Sequence, residues 1–270
     1  MTSFKDVMAN AELNETCVQV EVDETWMQGR TIYGGMQSAI AVKAMRAALN
    51  QVSCDAPLRS LQVTFIGPIS SGVVVSNATI LRKGKSATQV QATIIEEGTL
   101  RLMAIGIFGD SRPSEIEDIP MAPSCLRTFE ETKEVAFVSG LMPAFIQNFV
   151  VRPAENLNMF SGEKQPRGVT FAKHRNSDEH RDVTEESLVA IADISPPVAM
   201  AALKKFAPAS SMNWQLEFVQ TSEELASSEW LRVDAEMIAG VSGYNWQNTN
   251  FWSEDGQLAM LSRQCLAVFG

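Results

Sequence analysis

Two stretches of this chain repeat one pattern. Residues 96–108 (EEGTLRLMAIGIF) and 254–266 (EDGQLAMLSRQCL) share an acidic turn, a glycine and an apolar strand, at a constant offset of 158. A further apolar strand precedes each, and before that comes a helix of small residues, Gly34 to Leu49 in the first half and Pro196 to Phe206 in the second. A helix followed by strands, met twice, predicts two copies of one domain in a single chain. The copies differ at one informative place: Gly106 in the first corresponds to Gln264 in the second.

The length of 270 residues suits two units. No apolar run approaches the roughly 20 residues of a membrane span, and the first residues lack the basic and apolar regions of a signal peptide. Cys17, Cys54, Cys125 and Cys265 are scattered without a CxxC pair, and the chain has 2 histidines. These are expected to be reduced, structural cysteines in a cytoplasmic protein without a zinc site. A net charge of −10 argues against nucleic acid, whose phosphates need a basic face. It leaves room for an anionic small ligand on a local cationic patch such as Arg82, Lys83 and Lys85.

Along the chain, Cys17–Trp26 alternates like a strand, and Gly34–Gly35 opens an alanine-rich helix that is apolar on nearly every side. Such a helix is expected inside the fold. Leu61–Ile66, Val73–Leu81, Thr88–Ile95 and Leu100–Phe108 read as strands joined by short turns, hence antiparallel. Residues 110–135 have no sustained period, and the predicted division is a unit over 1–110, a linker over 111–139 and a second unit over 140–270. In that second unit AFIQNFVV, near Pro143, and GVTFAKH read as strands, and 175–182 as a solvated loop. Glu185–Ala192 reads as a helix, and Ser195–Pro196–Pro197 as the start of another. Four more strands follow, at Met212–Thr221, Glu229–Ile238, Tyr244–Trp252 and Leu258–Phe269. The expected class is α+β, a tandem hotdog, each unit a curved antiparallel sheet around a central helix.

Five segments carry a resemblance: Tyr33–Ala39 (YGGMQSA), Arg59–Phe65 (RSLQVTF), Arg82–Ser86 (RKGKS), Ala192–Pro197 (ADISPP) and Phe251–Gln264 (FWSEDGQLAMLSRQ). Together they resemble the double-hotdog acyl-CoA thioesterases of the thioesterase II type, from about residue 16 to the end. The resemblance implies hydrolysis of acyl-CoA to free acid and CoA without metal or organic cofactor. It also implies an aspartate, a Ser or Thr and a glutamine that together hold the attacking water. These fall on Asp193, Ser211 and Gln264. Where the family often has Thr, and an Asp two residues on, this chain has Ser211 and Asn213, and Ser210 stands beside as an alternative for the hydroxyl.

The residues' own pattern bears on each position. Asp193 precedes the Pro-Pro helix start, whose positive end favours an ionised base; helix capping alone explains the same placement. In the last strand Leu258, Met260, Ser262, Gln264 and Leu266 share a face, so Gln264 points inward and needs partners. Gly34 and Gly35 suit either a tight turn or backbone amides offered to a thioester carbonyl or a phosphate. Arg82, Lys83 and Lys85, at a hairpin tip, are either solvated charge or a dock for CoA phosphates. His174 and His180 lie in or beside the 175–182 loop, away from where a hydratase of this fold would place an Asp–His pair. The second-half aromatics, Trp214, Tyr244, Trp246, Phe251 and Trp252, read as core or pocket wall.

Two functions stay in view: an acyl-CoA thioesterase with one catalytic site per chain, and a hotdog protein that binds an acyl thioester or a protein partner without turnover. The expected partner is acyl-CoA, with assembly of double-hotdog chains into a homo-oligomer left open.

Overall fold

A computed structural model describes residues 2–175 and 183–269. The first half begins with α1 (Phe4–Ala9), whose Ser3 side chain accepts the Asp6 amide as an N-cap. Then follow β1 (Glu12–Asn14), β2 (Cys17–Val22), the small hairpin β3 (Met27–Gln28) with β4 (Thr31–Ile32), and α2 (Gly34–Asn50). β5 (Leu58–Phe65), β6 (Gly72–Lys83), β7 (Ala87–Glu96) and β8 (Thr99–Gly109) complete it. The second half runs β9 (Phe149–Glu155), β10 (Arg167–His174), α3 (Glu185–Ala192), α4 (Ala199–Ala202), β11 (Ala209–Phe218), β12 (Leu231–Val241), β13 (Tyr244–Trp252) and β14 (Leu258–Val268).

Twelve strands form one sheet in the order β1-β2-β6-β7-β8-β5-β11-β14-β13-β12-β10-β9. Strand order outward from the central β5–β11 pair is the same on both sides, so the halves are equivalent units joined edge to edge. Leu61 pairs with Leu216, and Val63 with Trp214, across the joint. Both halves of the sheet enclose helices, and the architecture is the expected tandem hotdog. The repeat is exact at its diagnostic position: Gly106 pairs with Leu61 and Val90, and Gln264 with Trp214 and Gln247.

α2 is the centre of the fold. Thirteen of its 17 residues are buried, including Met36, Ala39, Ile40, Ala44 and Met45. It packs on β2, β6, β7 and β8 and also on α3, so the core crosses between the halves. α2 and α3 run antiparallel and are pinned near both ends. At one end Arg46 grips Glu185 with two hydrogen bonds, one of 2.6 Å from Nε to Oε2, while the Leu58 amide donates to the same carboxylate over 2.6 Å. At the other, Tyr33 Oη donates to the Ala190 carbonyl over 2.8 Å.

The structure corrects three local expectations. The strand from Cys17 stops at Val22, because Asp23 accepts the Thr25 amide and closes a 3-10 turn over Glu24–Trp26. Residues 144–148 form a 3-10 turn rather than the start of a strand. The helix expected from Pro196 to Phe206 is a single turn, α4, and Ser195 does not cap it. Two successive prolines remove two backbone donors and hold Ser195 out of the helical region, so the chain between α3 and α4 cannot run on as one helix. His180 and most of the 175–182 loop fall outside the described residues. Among the described residues no helix is long and apolar enough to cross a membrane.

Candidate active site

α3 is opened by Thr184, whose hydroxyl accepts the Ser187 amide, and closed by Asp193 at its C-cap, with φ −97° and ψ 12°. That is a poor place for a carboxylate, since it faces the negative end of its own helix. The compensation comes from the other half of the protein. α2 starts without a side-chain cap of its own, and Asp193 approaches its first turn, where the Gly35 amide favours the ionised form. The helix that stabilises Asp193 is therefore α2, not the Pro-Pro segment that follows it.

The glycine pair makes this approach sterically feasible. A Cβ on Gly34 would lie 2.7 Å from Asp193 Oδ2, and one on Gly35 only 2.4 Å from the Ala190 carbonyl oxygen. A side chain at Gly35 would drive the helices apart, and one at Gly34 would displace the Asp193 carboxyl and crowd the Phe65 ring. Tyr33, fully buried, stacks on Phe145 with ring centroids 3.9 Å apart. Burial, and secondarily the charge of Asp193, hold its phenol well above the ordinary tyrosine range. It therefore stays a neutral donor to Ala190.

Gln264 reaches Asp193 from the sheet: its Nε2 donates to Oδ1 over 2.6 Å. β14 alternates as expected, with Ser262, Gln264 and Leu266 buried and Arg263 exposed. The protein packed around the Asp193 carboxyl raises its pKa from 3.8 to about 7, against the lowering effect of the Gln264 and Gly35 hydrogen bonds. Asp193 keeps part of its surface accessible, so it is enclosed without being sealed off. A carboxyl that titrates near neutrality beside a fixed amide can accept a proton from water at physiological pH.

Ser211 comes to the same face. β11 carries an irregularity between Ser211 and Asn213, so Ser211 pairs with Leu266 and Trp214 with Gln264. Paired residues share a face, which puts Ser211 on the inner side next to the Gln264 rung. Ser210 pairs with the outward Ala267 and is exposed. No hydrogen bond joins Ser211 to Asp193 or Gln264 among the described residues.

The basic hairpin stands apart. Lys83 Nζ donates to the Val52 carbonyl over 2.7 Å, just beyond the C-terminal end of α2. Asp193 is at the other end of that 17-residue helix, about 25 Å away along its axis.

Several neighbours escape a reading of the sequence. Gln247 pairs with Gln264 and accepts the Val198 amide over 2.9 Å, which ties the segment after Asp193 to the sheet. Trp214 Nε1 donates to Ser262 Oγ over 2.7 Å. The alternation Gln247, Thr249, Phe251 would have marked Gln247 as inward-facing, whereas nothing local marks Tyr33 as the partner of Ala190. Of the aromatics, Trp214, Phe251 and Trp252 are core, while Tyr244 is exposed. His174 ends β10 with Nε2 2.8 Å from the Ser187 carbonyl.

Comparison with known proteins matches both halves. Residues 22–109 match the family model described as the acyl-CoA thioesterase N-terminal domain, and residues 122–268 the one described as the acyl-CoA thioesterase C-terminal domain. No curated protein sequence matches the chain significantly. Among solved structures, a hotdog-fold protein of unknown function from Alicyclobacillus acidocaldarius superposes with a TM-score of 0.85 at 19% identity, over 100% of this chain and 99% of its own. A tesB protein of Mycobacterium avium subspecies paratuberculosis gives 0.80 at 16% identity, over 99% and 100%. An acyl-CoA thioesterase II of Mycobacterium marinum gives 0.73 at 14%, over 97% of each chain. At these identities the structural likeness speaks for the fold.

Proposed function

The chain belongs to the acyl-CoA thioesterase family, and from that premise we propose that it hydrolyses acyl-CoA with Asp193 as general base and Gln264 as the amide that orients the attacking water. The observation that carries this reading is the Gln264–Asp193 hydrogen bond of 2.6 Å beside a carboxyl with a pKa of about 7. A protein that only binds an acyl thioester has no use for an enclosed carboxylate held at that pKa.

In the proposed step Asp193 removes a proton from water while the water oxygen attacks the thioester carbonyl carbon. The tetrahedral intermediate collapses, the C–S bond breaks, and the proton on Asp193 passes to the leaving CoA sulfur. Ser211, on the same face as Gln264, supplies a second hydrogen bond to the water. The amide of Gly34, at the positive end of α2, is the proposed donor to the developing oxyanion, while that of Gly35 is engaged with Asp193. Arg82, Lys83 and Lys85 are the proposed dock for the CoA phosphates. That requires CoA to extend along the length of α2 and Lys83 to exchange the Val52 carbonyl for phosphate.

The labour is divided between the proposed units, 1–110 and 140–270, joined by 111–139. The second provides Asp193, Ser211 and Gln264, and the first provides the α2 terminus and the basic hairpin. The four unpaired cysteines suit a reducing, cytoplasmic setting. The test is thiol release from acyl-CoAs from acetyl to palmitoyl, with active sites titrated by a non-hydrolysable analogue. One site per chain and turnover lost in Asp193→Asn is the expected result. Binding without turnover would leave an acyl-thioester binding protein.

A further inference from the structure

A cavity of about 310 Å³ opens along the face of α3 that carries Ser187, Leu188 and Ile191, and neither Asp193 nor Gln264 lines it. Its size is at the small end of ligand pockets. Phe4 and Met8 of α1, with Leu188, Ile191, Leu225 and Leu231, make its walls apolar. Among the described residues its charged lining is Lys5, Lys43, Lys173 and Arg175 against Glu229. In a chain of net charge −10 that concentration is unusual. The adjoining cleft, which shares Val183 and Thr184, shows the opposite character, with Asp55, Asp110, Glu185, Glu186, Glu223 and Glu224 around Arg46.

Of these cations, Lys5 has a partner of its own, Lys173 pairs with Glu229 and Arg175 with Glu134. Lys43 is different. It lies half-buried in the middle of α2, a largely buried helix, and makes no hydrogen bond or ion pair with a described residue. A partly desolvated ammonium beside apolar walls is stabilised by an anion that brings its own apolar body. We propose that this cavity is a second ligand site, for an unbranched alkyl carboxylate of medium length, with the carboxylate on Lys43 and the chain against Leu188, Ile191, Leu225 and Leu231. The assignment does not depend on the thioesterase reading, because it uses none of those residues.

Calorimetric titration with hexanoate, octanoate and decanoate tests it. Affinity is expected to rise about fourfold per added methylene while the chain is still entering the cavity. Lys43→Met, which keeps the stem and removes the charge, should weaken decanoate at least tenfold and leave 1-decanol unchanged, while Lys43→Arg retains the binding. Asp193→Asn should bind decanoate like the wild type, and a non-hydrolysable acyl-CoA analogue should not displace it. No binding by the unaltered protein, an affinity independent of chain length, or undiminished decanoate binding in a folded Lys43→Met would overturn the site. Displacement by the analogue would place the carboxylate in the thioester pocket instead and overturn it equally. Loss of thioesterase activity alone, with the length series intact, would bear only on the proposed function.

Discussion

Gly106 and Gln264 occupy the same rung of two equivalent strands, and the helices decide why one is a glycine. A Cβ on Gly106 would lie 2.7 Å from Met45 Sδ and 2.8 Å from the Phe108 ring, so α2 packs directly on the strand there. At the Gln264 rung the long helix is replaced by α3, the Pro-Pro turn and α4, and a large polar side chain fits beneath Asp193. Among the described residues the Gln264–Asp193 pair thus has no counterpart at the Gly106 rung.

Asp193 sets the expected pH dependence. Its pKa of about 7 predicts that kcat/KM rises with pH through neutrality, as the carboxyl loses its proton. Asp193→Asn should cut turnover at least ~100-fold at every pH and abolish that rise. Stability runs the other way. Because the folded carboxyl binds its proton more tightly than the unfolded one, the folded state is favoured at low pH and loses that advantage between about pH 4 and 7. A change from 3.8 to about 7 corresponds to at most about 4 kcal/mol, with the remaining solvent access reducing it. Urea unfolding at pH 5 and pH 8 should show the decline in the wild type and not in Asp193→Asn.

Gln264→Leu removes the donor that lowers the Asp193 pKa. The activity limb should therefore move to higher pH while maximal turnover falls. Leu suits the apolar strand face, so the melting temperature at pH 6 should hold or rise. A falling melting temperature with unchanged activity per folded molecule would show the amide to be structural only.

Gly35→Ala tests the contact between the halves. With the added carbon 2.4 Å from the Ala190 backbone oxygen, α2 and α3 must separate. A loss of roughly 1–3 kcal/mol is expected, the scale of overpacking, measured by chemical denaturation. Turnover per folded molecule should also fall, because Asp193 moves away from the α2 terminus.

Reversal of Arg82 and Lys83 to Glu addresses the nucleotide end. If the hairpin holds the CoA phosphates, the Michaelis constant for acyl-CoA should rise and become less sensitive to salt. A short thioester lacking the nucleotide should be turned over as before. An unchanged Michaelis constant would place the nucleotide elsewhere, and the 2.7 Å bond from Lys83 to Val52 would then be the hairpin's main role.

What the sequence determined by itself is whatever a local period encodes. Alternation placed Gln264 inside and Arg263 outside; continuous apolarity buried α2; the shared turn-and-strand pattern revealed two units. Tertiary structure decided which faces meet. Tyr33 finds the Ala190 carbonyl 157 residues away, and Arg46 finds Glu185 139 residues away. Asp193 takes its favourable helix end from the other half of the chain, not from the prolines beside it. A period fixes the direction a side chain points relative to its own element, whereas pairing depends on shape and charge fitting between elements that packing alone brings together. The bulge that turns Ser211 inward is likewise set by its register with Leu266, which no run of residues in β11 specifies.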